Sequence, residues 1–185
     1  MDDAACLAEL IEMFRAEKII AETPAWTDQE TPSGRRLHVV CPLWIGGLVT
    51  SGLRLEIYGP QAVPHGRPFF GLTAMLFASH RRRNWHLGRI EFDPVGATGP
   101  HHRNPMSARH LQPTVTGPHF HPFEDNAAEG LAALSPASGA KGDLPIAKPL
   151  DTTCVTFADI LTTIREHFGI PGLWLEEPGW SRTLV

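Results

Sequence analysis

Cysteine is scarce in this chain: three residues in 185, Cys6, Cys41 and Cys154, far apart, odd in number and never spaced as C-x-x-C. A disulfide framework and a cysteine zinc site are therefore not indicated, and a reducing compartment fits best. Charge is scarce too. Only 19% of residues are charged, and a formal net charge of −4 argues against wholesale binding to nucleic acid or to an anionic membrane. No apolar run approaches membrane-spanning length, and Asp2 and Asp3 stand where a secretory leader would carry basic residues. The expectation is a cytoplasmic protein without a membrane partner. P-loop, dinucleotide-binding and G-x-S-x-G patterns are all missing, which leaves nucleotide-fold and serine-hydrolase chemistry without a motif. Each cysteine lies in an apolar helix or strand context, where an inert core role is favoured.

What is present suits one globular core, with 42% hydrophobic residues, and one domain over residues 1–185 is the expectation. Leu7, Leu10, Ile11 and Phe14 recur at helical spacing among Glu9, Glu12, Arg15 and Glu17, which predicts an amphipathic helix over 3–21. The polar, turn-rich residues 23–34 read as a loop. Residues 35–45 and 48–58 then read as paired strands, with Leu53, Leu55 and Ile57 alternating against Arg54 and Glu56. Residues 69–78 and 85–93 are two more strands around the run Arg81, Arg82, Arg83. The small-residue segment after Glu124 reads as a loop with one helical turn over 127–134, and residues 144–150 as a short edge strand. Thr156 to Asp159 has the form of a capping box, opening a helix over 157–168 with Gly169 as its stop. Trp174 and Trp180 in the tail, 171–185, are expected to pack inward. The fold class is α+β: a mostly antiparallel sheet of about five or six strands within residues 35–150, flanked by an N-terminal and a C-terminal helix.

The chemistry concentrates in residues 101–124, which hold five of the ten histidines. Proline excludes helix from 117–124, so the segment reads as extended, placing His119, His121 and Phe123 on one face with the two imidazoles about 7 Å apart. Three or four ligands from His119, His121, Glu124 and His101 or His102 would suit zinc, iron or manganese. His-x-His followed by Glu is also half of a cupin signature, but the second half is missing, and the only later histidine is His167. Alternatively, His102, His119 and His121 divide acid and base work across a phosphodiester, with Arg89 or Arg103 stabilising the developing charge. Arg81, Arg82, Arg83, Arg89, Arg103 and Arg109 are opposed between positions 80 and 110 only by Glu91 and Asp93, which hints at a phosphate-bearing partner such as RNA. A solvated hairpin turn explains Arg81, Arg82 and Arg83 about as well, and a turn before Pro105 explains Asn104.

The pieces Arg81-Arg82-Arg83, Gly88 to Asp93, His102-Arg103-Asn104-Pro105, Gly117-Pro118-His119-Phe120-His121 and Pro145 to Leu150, followed by the closing helix, resemble an uncharacterised family of small bacterial and phage proteins. That family's core runs R-L-D-I, H-x-N-P-D-G and G-P-H-x-H-x-Y. The overlap covers about residues 35–170 and is more distantly similar to the TumE-type toxins of toxin–antitoxin modules. Here Met106 and Ser107 replace the usual Asp-Gly, Phe123 replaces the commoner Tyr, and residues 106–116 form an insertion. The resemblance implies a toxin-like protein of a mobile element, partnered by an antitoxin. Three activities are carried forward: a histidine-dependent ribonuclease, a non-enzymatic inhibitor that binds a host protein, and a small metal-dependent enzyme.

Overall fold

The structure, a computed structural model, describes residues 2–32, 34–46, 48–64, 71–92, 102–136, 143–150, 154 and 156–183. Helix α1 spans Asp3–Arg15, with the Asp2 carboxylate accepting from the Ala4 and Ala5 N–H groups at its start. It is shorter than its apolar spacing suggests. The backbone turns extended at Ala16, and Lys18–Ile20 become β1, because the edge of the sheet offers them a full set of partners.

Strand β2 (Thr27–Thr31) lies within the expected loop and pairs with β3 (Gly34–Ile45). Then follow β4 (Leu48–Pro60), β5 (Ala62–Pro64), β6 (Leu72–His80) and β7 (Arg83–Phe92). The short β8 (His102–Arg103) and β9 (Thr114–Val115) pair with each other, and β10 (His119–His121) precedes helix α2 (Phe123–Ala128). A 3-10 turn at Leu131–Leu134, β11 (Lys148–Pro149), helix α3 (Phe157–Phe168) and β12 (Ser181–Thr183) complete the described chain, with β12 parallel to β5. The main sheet has eight strands in the order β1-β3-β4-β6-β7-β10-β11, with β2 on β3, and every pairing in it is antiparallel. This is the α+β architecture expected. Among the described residues no helix is long and apolar enough to cross a membrane.

Residues paired across antiparallel strands share a face, so the register sorts the side chains. Ile57, Ala74, Ile90 and Phe120 form one cross-strand row on the packed face, where Leu10, Ile160, Ile164 and Phe168 join the core. Helix α3 sits close enough that a Cβ on Gly88 would lie 2.8 Å from the Phe168 ring. Its capping box and its left-handed Gly169 stop stand where the sequence places them. Trp180 is buried, but Trp174 is 63% exposed, contrary to expectation.

Lys18 joins the ends of α1 and α3. Its Nζ donates to the carbonyls of Phe14 (2.6 Å) and Ala16 (2.9 Å), and its backbone N–H to Gly169 O, while the side chain is wholly buried. Burial lowers the ammonium pKa from 10.5 to about 8. A base whose folded pKa is depressed carries its full penalty below that value and sheds it as pH rises towards the unfolded one. Stability is therefore expected to gain up to about 3 kcal/mol relative to Lys18→Met between pH 8 and 10.5. Denaturation curves of the two proteins across that window measure it, and parallel profiles would refute it.

Candidate metal centre

The opposite face of the sheet is polar. Tyr58, Thr73, Glu91 and His119 form one cross-strand row, and Glu56, Met75, Arg89 and His121 the next. Strand β10 thus delivers both of its histidines beside Arg89 and Glu91, with Phe120 turned to the other face. A bulge in β7 adds a further group: Leu76 pairs with Gly88 but Phe77 with His86, so Leu87 is skipped and His86 joins the polar face despite its even number.

His102, on β8, completes a cluster: one ring nitrogen from each of His102, His119 and His121 lies within 4.8 Å of the others. Each ring is also fixed by a main-chain carbonyl. His119 Nδ1 donates to Gly117 O (2.8 Å), His121 Nδ1 to Leu144 O (2.6 Å) and His102 Nε2 to Pro145 O (2.8 Å). A carbonyl only accepts, so these nitrogens carry the protons and the second nitrogen of each neutral ring keeps its lone pair. Burial, then the nearby Arg89 charge, hold the His121 pKa well below its ordinary value, and burial lowers that of His102. His102 and His121 are therefore held in the neutral form, which carries a lone pair.

Two asparagines set the carbonyls that orient two of the rings. Asn126, fully buried, donates to Pro122 O and Ile146 O and accepts from the Ile146 N–H. Asn104 donates to Gln112 O and Ala147 O and accepts from the Ala147 N–H. Together they clamp residues 146 and 147, next to the carbonyls of Leu144 and Pro145. Asn104 is thus a staple between chain segments, beyond the turn-forming role its sequence suggests. Asp143 and Leu144 both have left-handed backbone (φ 64° and 56°), a costly conformation for residues with a Cβ. That path aims the Asp143 carboxylate at His86 Nδ1 (2.7 Å) and Arg89 Nη1 (3.2 Å). Burial opposes the Asp143 charge, but these two partners outweigh it and hold the carboxyl below its usual pKa.

Glu91 supplies the carboxylate. Its oxygens lie 3.7 Å from His119 Nε2 and 3.9 Å from His121 Nε2, too long for hydrogen bonds but close enough to share an ion with both rings. A tetrahedral ion with bonds of about 2.1 Å sets nitrogens about 3.4 Å apart, so nitrogens up to 4.8 Å apart must close in by up to about 1.4 Å. Arg89 is the competing group, because its Nη2 donates to His121 Nε2 at 2.9 Å.

The remaining sequence candidates fall elsewhere. Glu124 is on α2, because helix begins straight after Pro122; it is exposed and 4.0 Å from Arg15, outside the cluster. Arg81 and Arg82 form the tight β6–β7 turn with positive φ, and Arg81 pairs with Glu9, roughly 20 Å along β7 from Arg89. Arg83 is exposed beside them, and Arg103 and Arg109 are exposed on β8 and after the 3-10 turn at Met106–Ala108. His101 and Asp93 lie outside the described residues. The sequence reading did not assign Glu91, Asp143, His86 or Asn126 to the site. The period-two link of Arg89 to Glu91 was a usable signal for Glu91; the others depend on a bulge and on long-range docking. Protein-family models, curated proteins and solved structures give no significant match to this chain, so the residues themselves carry the functional argument.

Proposed function

We propose that this protein is a divalent-metal-dependent hydrolase, with His102, His119 and His121 as ligands and Glu91 as the adjoining carboxylate. The observation that carries the reading is the set of carbonyl bonds: three rings each donate one N–H to a main-chain carbonyl, which leaves the other nitrogen of each for the cluster. Outward bonds of this kind are the usual support of metal-ligating histidines. They also weaken the metal-free acid–base alternative, because a general acid needs a protonated ring and burial disfavours that form at His102 and His121. Zinc, iron or manganese suits a nitrogen-rich set with one carboxylate. Such an ion supplies a Lewis acid and lowers the pKa of water in the site. Glu91, one-quarter exposed, is placed to take a proton, and Arg89 to stabilise negative charge on a phosphoryl oxygen.

Untagged protein purified without chelators is expected to hold about one equivalent of metal by elemental analysis and to hydrolyse bis(p-nitrophenyl) phosphate, with both lost after chelation. No metal together with undiminished hydrolysis would overturn the reading in favour of acid–base catalysis. Were RNA the substrate, as the arginines of residues 80–110 hint, and the protein a toxin, its expression would arrest cell growth and that of His119→Ala would not.

A further inference from the structure

Arg89 has one firm anchor, one donor spent on an imidazole and one buried donor without a hydrogen bond. Nη1 is held by Asp143 (3.2 Å), and Nη2 by the lone pair of His121 (2.9 Å). Nε is 3.0 Å from Glu91 Oε1 yet makes no hydrogen bond, although it is buried. The Nε–H and Nη2–H groups lie along one edge of the guanidinium, a fork that fits two oxygens of a phosphate. In this structure one arm of that fork is occupied by an imidazole and the other, although Glu91 Oε1 is 3.0 Å away, makes no hydrogen bond.

The lone pair of His121 Nε2 can serve Arg89 or a metal ion, but not both. We propose that metal binding unmasks Arg89 as a two-pronged receptor for a phosphoryl oxyanion of the substrate. This rests on the metal reading above and adds an order: metal first, substrate second. The ion takes His121 Nε2 and frees Nη2–H beside the waiting Nε–H, while Asp143 keeps Nη1, so the guanidinium pivots rather than leaves. Local charge changes with it. Arg89 against Glu91 and Asp143 leaves the metal-free site with a net single negative charge, which repels an anion; a divalent ion makes it a net single positive charge, which attracts one. Linkage then requires that phosphate tighten metal binding by the factor by which metal tightens phosphate binding.

The test uses full-length protein freed of metal by chelator dialysis, Co²⁺ followed by its visible absorption, and inorganic phosphate as the anion. Arg89→Met is expected to bind Co²⁺ at least tenfold more tightly than the parent, because the competitor for His121 is gone. Its Co²⁺-loaded form is expected to bind phosphate at least tenfold more weakly, because the fork is gone. Arg89→Lys, which keeps the charge without the fork, is expected to lose phosphate affinity too, and serves alone if the methionine variant does not fold. Equal Co²⁺ affinity in parent and variants would overturn the unmasking while leaving the metal centre standing, as would undiminished phosphate binding. Failure of parent and variants alike to bind Co²⁺ would overturn both.

Discussion

Alanine at position 119 is expected to cost the protein its metal, raising the dissociation constant by at least about 100-fold. Four-ligand zinc sites release roughly 10–16 kcal/mol on binding, or about 3 kcal/mol per ligand, and 3 kcal/mol is a little over two powers of ten. His119 is the ligand to remove because its Nε2 faces Glu91 directly, with no arginine in between. The folded state should survive. The ring makes one hydrogen bond, to Gly117 O, and losing such a bond and its packing is a modest fraction of an ordinary domain's stability. Glu124→Ala serves as the control, since Glu124 is exposed on α2 and takes no part in the cluster. Competition titrations with a chromophoric chelator read both variants. Equal loss in the two, or retention in His119→Ala, would rule out His119 as a ligand.

Asparagine 126 should matter almost as much although it touches no histidine. Replacing it with alanine strands the Ile146 N–H and carbonyl in the interior, while Pro122 O keeps its bond from the backbone N–H of residue 126. At about 1–3 kcal/mol for a buried group left unpaired, the loss is on the order of 3 kcal/mol or more. It also unpins the chain carrying the carbonyls of Leu144 and Pro145, which hold His121 and His102. Outer partners of ligating histidines typically account for about 10–100-fold in affinity, and that is the range expected for this variant. Urea denaturation and metal titration of Asn126→Ala measure the two effects separately. A stability loss with unchanged affinity would make Asn126 a fold clamp without a role in orienting the site.

Much of the fold was legible because its long elements carry strong periodic signals. The alternation in 53–57, the capping box at Thr156 and the apolar stripe of α3 depend on neighbours in sequence, and the structure has them as read. Strand β2 and strand β1 were not legible: TDQET has no apolar alternation and KII looks like the end of a helix, and both become strands because the edge of β3 opposite β4 offers them hydrogen bonds, to β2 at residues 34–38 and to β1 at residues 43–45. The His-x-His pair was visible from its own spacing, and the structure brings His102 and Arg89 to it. Glu124 misled because a proline before an acidic residue can end a strand or start a helix, and here it starts α2. Asp143 and His86 could not have been found by pattern at all. One reaches the site through two left-handed residues, the other through a bulge that reverses the parity of β7.

The position of β10 has a consequence for the order in which parts of the molecule come together. Strands β3, β4, β6 and β7 form a meander of sequence neighbours, each pairing needing only a short chain closure. Strand β10 joins β7 from 27 residues beyond its end, and β11 then joins β10. The flank that holds the histidines is therefore the part most able to peel away while the meander stays intact. An ion gripped between β8, β10 and the neighbouring Glu91 would bolt this flank to the finished sheet. Amide exchange around residues 102–121 and 144–149 would slow on loading, and exchange in β3 and β4 would not.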